Sequence, residues 1–379
     1  MREINRIPEY RNAVEAAIIC LDEGFPRDDI QAAPDRLRNI TREAIDVYMA
    51  QQEANGLIEG VSWWQNANGY TAIALHDLWS GERKKYDILA LSLRRCEETN
   101  DSGESFINDF NDDSLWWALC CLHVYNLGMD LWFLQQAETV WRHVSKSVCN
   151  RGQEFFGDVD MEGGVFWRSQ PPHGDHLNAI STGLFAELSV RLALIEDTTA
   201  LHSDVSAEDY IEACRRSLGW ILRCRYLVAE GLVLDHLELD SQKAVDWKFT
   251  YNTAVVLGTC ALLYEATRED EYVVLSCHMA RRAMARRLWV DENGILTEPS
   301  AYGRGNHDPL IDTDGIEFKS VLIRQLGTLY DVLRRTNRRS IQPQKMAGEI
   351  KRFVNNHVRA QMHCNNDGKD HYGPWWAGK

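Results

Sequence analysis

Two carboxylates stand side by side in the run Asn108-Asp109-Phe110-Asn111-Asp112-Asp113-Ser114-Leu115-Trp116-Trp117, and two indoles follow at once. A pair of carboxyls can cleave a glycosidic bond: one attacks the anomeric carbon or activates water, and the other protonates the leaving oxygen. Indole faces are what sugar rings stack on. Successive residues on a helical turn diverge by about 100 degrees, so Asp112 and Asp113 can flank one bond from different directions. Adjacent acids suit the roughly 5–5.5 Å spacing of a retaining site better than the wider gap of an inverting one. The two acids need different proton affinities. The better-capped carboxylate at the helix tip is expected to stay ionised and attack. The other, shielded by Trp116 or Trp117, is expected to hold a proton and act as acid and then base. The plain alternative is capping, because Asn and Asp satisfy orphan N–H groups at a helix start and suit its dipole.

Other chemistries fit less well. A magnesium-dependent DDxxD cyclase would need another acid where this chain has Trp116. The letters His173-Gly174-Asp175-His176 look metal-like, but after Pro171-Pro172 they suit a solvated or substrate-touching loop. Ten cysteines show no CxxC spacing, and Cys120-Cys121 sit in an apolar run as small hydrophobes. No metal and no cofactor is expected.

The elements that must position the acids are helices. Apolar residues recur near the 3.6 period over about 36–54, 70–79, 86–99, 112–125, 130–149, 178–196, 207–227, 250–267, 270–289, 316–336 and 343–361. Leu232-Val233-Leu234 reads as a short hairpin strand. Polar, aromatic loops separate the helices: Val61 to Tyr70, Ile107 to Trp117, Gly157 to Trp167, Trp247 to Asn252, Asp308 to Lys319 and Asp370 to Trp376. Six such loops predict six helical hairpins closed in a ring, an all-α (α/α)6 toroid whose inner helix N-termini converge on a cleft. An open solenoid would need more regular repeats. Gly163-Gly164 predicts a tight turn presenting Phe166 and Trp167. No linker divides the chain, so residues 1–379 read as one domain, with 1–34 an N-terminal extension or first helix.

Composition narrows the partners. Lys and Arg number 41 against 56 Asp and Glu, a net charge of −15. Such a chain repels phosphate backbones, so nucleic acid is excluded and a neutral oligo- or polysaccharide fits best. No apolar run is long enough to span a membrane. No signal peptide is visible at the N-terminus, which implies a cytoplasmic protein as written, or a secreted one if a leader was removed.

Taken together, the motifs resemble glycoside hydrolase family 76, the α-1,6-mannanases of bacteria and fungi. The resemblance runs from about residue 35 to the C-terminus. It is carried by Trp63-Trp64-Gln65-Asn66-Ala67, Asn111 to Leu119, Gly163-Gly164-Val165-Phe166-Trp167, Asn178-Ala179-Ile180-Ser181, Thr250-Tyr251-Asn252, and Phe318-Lys319 with Arg324. It implies the six-hairpin toroid and a retaining mechanism, with Asp112 as nucleophile and Asp113 as acid/base. It also implies that Asn66, Asn178, Tyr251, Asn252, Asp314 and Lys319 contact the sugar, between walls made of Trp63, Trp64, Trp116, Trp117 and Trp167. The chain departs from the family pattern at Glu162, Leu177, Thr253-Ala254 and Ser320-Val321-Leu322, which predicts an altered cleft lining.

Overall fold

The computed structural model describes residues 34–376 except 101–104, 170–175, 196–203, 299–313, 337–342, 366 and 370. Residues 1–33, His173, Gly174 and Asp175 therefore lie outside the described residues. Five inner helices are α2 (Trp63–Ser80), α4 (Asn111–Gly128), α6 (Ala179–Ala193), α8 (Thr250–Thr267) and α10 (Phe318–Arg335). Around them run α1 (Pro34–Met49), α3 (Tyr86–Glu98), α5 (Leu131–Val144), α7 (Ala207–Cys224), α9 (Asp270–Ala285) and α11 (Pro343–Cys364).

The inner helices pack in chain order, α2 on α4, α4 on α6, α6 on α8 and α8 on α10. The ring closes where α10 returns to α2: Phe318 meets Trp64 at 6.0 Å between centroids, and Trp79 lies over Gly327. Closure distinguishes this architecture, an (α/α)6 toroid, from an open solenoid. Because α4, α6 and α8 touch neighbours on nearly every side, they are apolar all round rather than amphipathic. Their backbones also approach closely. A Cβ on Gly258 would lie 1.9 Å from Gln325 Oε1 of α10, and one on Gly183 would lie 3.1 Å from Val255 of α8. Polar residues inside this ring are paired: Gln325 Nε2 donates to Glu187 Oε2 at 2.8 Å, and Arg191 bridges Glu187 at 2.8 Å.

Helix limits follow local capping. Ser62 donates to Gln65 Oε1 through both its N–H and its hydroxyl; Asn178 Oδ1 accepts from Ser181 N. Asp130 and Ser206 cap α5 and α7 in the same way. The start of α2 differs from the sequence expectation, which placed 61–70 in a loop. The Asn66 side chain accepts from Ile58 N and donates to the carbonyls of Val61 and Ser62, so a polar residue is absorbed by the helix start.

Short strands decorate the ring: β1 (Phe155–Phe156) with β2 (Val159–Asp160), β4 (Tyr226–Leu227) with β5 (Leu232–Val233), and a three-stranded sheet of β3 (His176–Asn178), β6 (His236–Glu238) and β7 (Lys243–Val245). The nine described cysteines are free, and Cys120 and Cys121 are fully buried. No helix of the described residues is long and apolar enough to cross a membrane.

Candidate active site

The tip of α4 is held by residues other than the acid pair. Asn111 N donates to the Trp167 carbonyl at 2.9 Å, and Asn111 Nδ2 donates to the Phe166 carbonyl at 2.7 Å. Asn108 N donates to Ser114 Oγ at 3.0 Å, and Phe110 N donates to Asn108 Oδ1 at 2.8 Å. The Asn111 N–H is thus satisfied by the Trp167 carbonyl, while the N–H groups of Asp112 and Asp113 lie against the Asp112 carboxyl. Both acids lie half-buried in the first turn.

Trp167 Nε1 donates to Asp112 Oδ2 at 3.2 Å, and Asn108 Nδ2 donates to Asp113 Oδ2 at 3.1 Å. Asp112 Oδ1 is buried without a hydrogen-bond partner among the described residues. Burial first, and the negative charge of Asp113 second, push the Asp112 carboxyl well above the usual carboxylate range. Nearby backbone N–H groups and the Trp167 indole pull the other way. Two carboxyls that interact in this way titrate together rather than singly. Trp116 is 3% exposed and Trp117 fully buried, and the indole that reaches the acids is Trp167.

A chain of rings runs on from the pair. Trp167 packs on Phe110 at 4.8 Å and stacks on His176 at 6.0 Å; His176 stacks on His236 at 4.7 Å. Trp247, 53% exposed, meets His236 edge-on, and Phe249 follows. Tyr251 stacks on Phe318 at 3.9 Å, and Phe318 reaches Trp64, which stacks on Trp116. Trp64, Trp116, Trp167 and Tyr251 therefore belong to one arc of rings, with Trp167 and Tyr251 only half-buried.

Several expected sugar contacts are buried and already hydrogen-bonded within the chain. Asn66 is fully buried and spent on backbone bonds. Trp117 is sealed against Phe106 at 4.9 Å and Trp63 at 4.7 Å, while Trp63 itself is half-buried. Asn178 is the α6 cap. Asn252 is fully buried and donates to Asp235 Oδ1 at 2.9 Å, so it acts through Asp235. Lys319 is fully buried; its Nζ donates to the Ile316 carbonyl at 2.9 Å and lies 4.9 Å from the Trp376 ring. Burial lowers the Lys319 ammonium to about 8. Asp314 opens the turn Asp314–Glu317, and its side chain lies outside the described residues.

The departures from the family pattern are mostly core residues, which corrects the expectation of an altered lining. Leu177, Thr253, Ala254, Val321 and Leu322 are all fully buried, and Thr253 Oγ1 accepts from Val233 N. Glu162 and Ser320 alone among them retain exposure.

Sequence reasoning missed Asp235, Glu298 and the pairing of His176 with His236. Asp235 joins Asn252, His236 and, through its carbonyl, the Ala179 N–H. Glu298 accepts from Thr250 N and from Thr250 Oγ1, capping α8 from 48 residues away, and burial raises its carboxyl to about 8. His176 and His236 line a cavity of about 450 Å³ with Glu238, Lys243 and Trp247. The alternation in His236-Leu237-Glu238 signals a strand with an outward polar face, which was legible. Nothing local marks Glu298.

The chain is thus a closed helical toroid with adjacent, half-buried carboxyls at one inner-helix tip and aromatic rings running on from them. The model of glycosyl hydrolase family 76 matches residues 33–379, and the chain belongs to that family. Three solved structures share the fold. The α-1,6-mannanase GH76A of Salegentibacter sp. HEL1_6 is 21% identical with a TM-score of 0.73, over 90% of this chain and 92% of that one. That structure is an inactive variant with two adjacent aspartates replaced by alanine, in complex with α-1,6-mannotetrose. The Lin0763 protein of Listeria innocua is 20% identical with a TM-score of 0.69, over 90% of each chain. Dfg5 of Chaetomium thermophilum, in complex with glucosamine, is 16% identical with a TM-score of 0.65, over 90% of this chain and 82% of that one. No curated protein matches the sequence.

Proposed function

We propose that the protein is a retaining glycoside hydrolase acting on α-1,6-mannan or a related neutral mannoside. The observation that carries the reading is the half-buried pair Asp112 and Asp113 at the α4 tip, the Asp112 carboxyl raised by burial and then by its neighbour, with Trp167 bonded to Asp112. Support also comes from the relative in which replacing two adjacent aspartates gives an inactive variant bound to α-1,6-mannotetrose.

In this reading Asp112 attacks the anomeric carbon while Asp113 protonates the leaving oxygen. Asp113 then deprotonates water, which releases the sugar from Asp112. The attack requires Asp112 ionised, so the proton held by the pair must rest on Asp113 once sugar is bound. The Trp167 N–H stabilises charge on Asp112 Oδ2 as the Asn108 amide does on Asp113 Oδ2, so in this reading the bound sugar settles which acid keeps the proton. Tyr251, Trp167 and Trp247 supply ring faces for the sugar units. A sugar hydroxyl taking the place of water would make the same site a transglycosylase.

The test is release of reducing ends from α-1,6-mannan, with starch and cellulose as controls. Wild type is expected to act on mannan alone. Asp112→Asn and Asp113→Asn are each expected to lose more than about a thousandfold in kcat. Full activity in both variants would remove the proposed roles. A wild type inert on every mannoside would favour recruitment of the fold to glycan binding or to tailoring of a small metabolite.

A further inference from the structure

The sheet β3-β6-β7 gathers metal-binding side chains on one face. Side chains alternate along a strand. Leu177 of β3 and Leu237 of β6 turn into the core, so His176, His236 and Glu238 turn outward. The register sets His176 opposite Glu238 and Asn178 opposite His236. His176 is therefore a direct neighbour of Glu238 and a diagonal neighbour of His236. One ligand atom from each of the three lies within 4.8 Å of the others.

A second observation concerns orientation. Asp235 Oδ2 lies 2.9 Å from His236 Nδ1, and Asn252 holds the other oxygen of Asp235 at 2.9 Å. A carboxylate on one ring nitrogen fixes the proton there and leaves Nε2 with its lone pair, the outer arrangement found behind metal-bound histidines. His236 Nε2 is 3.8 Å from Glu238 Oε1. All three residues also line the cavity of about 450 Å³, which gives an ion a way in.

We propose that His176, His236 and Glu238 bind one divalent transition metal, zinc in the first instance, on the cleft wall one ring beyond Trp167. Two imidazoles and one carboxylate suit zinc and leave its fourth position for water or a hydroxyl. They are a poor set for magnesium or calcium, which take oxygen ligands. His236 and Glu238 lie some 60 residues from His176 along the chain, and strand pairing alone brings them together. Lys243 Nζ sits 2.9 Å from Glu238 Oε1 and Ser241 Oγ 2.7 Å from Oε2. The Lys243 side chain is 63% exposed, so its ammonium can turn to solvent as the metal takes over the carboxylate. A bound ion would tie β3 to β6 and fix the His176 ring on which Trp167 stacks. The site is independent of the proposed hydrolysis.

The experiment is titration of chelator-treated protein with zinc chloride by calorimetry, and with cobalt(II) by visible absorption. A Cys364→Ser background removes the exposed thiol. One equivalent of zinc is expected to bind, with cobalt ligand-field bands that millimolar magnesium or calcium does not displace. His176→Ala and His236→Ala are each expected to weaken binding by more than about tenfold. Lys243→Ala is expected to tighten it, a gain that misfolding cannot imitate. Wild type without stoichiometric zinc overturns the proposal. So does affinity unchanged in His236→Ala, or affinity not increased in Lys243→Ala.

Discussion

Asp112 is held in a state that an unfolded chain would not keep. A free aspartate ionises near about 3.9, and in the fold burial and the neighbouring Asp113 raise that carboxyl. The folded chain therefore binds more protons than the unfolded one above that pH. Stability is fullest below the unfolded value and falls as pH rises through the folded one. Asp112→Asn removes this cost. The variant is expected to melt above wild type at pH 8, with the gap narrowing toward pH 4, measured by calorimetry across that range. In an Asp113→Asn background the gap should shrink, because the second cause of the shift is gone. Trp167 gives a separate prediction. Trp167→Phe keeps a ring face but deletes the donor to Asp112 Oδ2. A hydrogen bond to a charged group is worth about 1.5–3 kcal/mol, so kcat should fall roughly 10- to 100-fold, with KM for a manno-oligosaccharide changed far less. The acid pair was legible because its letters are adjacent. The indole that serves it was legible only as one of several candidates, since 55 residues separate Trp167 from Asp112.

Helix starts and tight turns carry the site. Gly163 takes φ of 91°, and a Cβ there would lie 2.2 Å from the Arg216 carbonyl oxygen of α7. Gly164 approaches the Trp220 indole, where a Cβ would lie 2.8 Å from Nε1. These contacts seat the segment that delivers Phe166 and Trp167 to α4. Gly163→Ala is expected to cost at least about 1–3 kcal/mol from backbone strain alone, and more from a clash with backbone that cannot yield. Denaturant unfolding reads this directly, and loss of the Trp167 contact should lower activity in the folded fraction. The glycine pair announced a turn in the sequence, and its reason, close packing on a helix some 50 residues later, appears only in three dimensions. The α2 start misled for the opposite reason. Gln65, Asn66 and Asn68 look like loop residues, yet each is buried in the helix. The same holds at Asn178, which caps α6, and at Asn252, which braces Asp235. An asparagine that caps or braces carries the same letter as one that binds.

The closed ring was readable from the recurrence of helical runs and polar, aromatic loops, and the toroid follows from packing apolar helices against one another. What recurrence could not reveal is which loop residues face inward. Burial assigns Trp117, Asn252 and Lys319 to the interior and leaves Trp167, Tyr251 and Trp247 at the mouth. The net charge of −15 adds an expectation for the molecule entire. A neutral mannoside should bind with little dependence on ionic strength, because salt screens charge and not stacking. KM measured from low to high salt checks this. The most direct measurement is proton NMR of the anomeric signals during the first turnovers of α-1,6-mannotetraose, with wild type and Asp112→Asn side by side. Wild type should release product that is first α and only later mutarotates, and the variant should release almost none. First product in the β form, or equal hydrolysis by the variant, would contradict the assignment of Asp112 and Asp113 as a retaining pair.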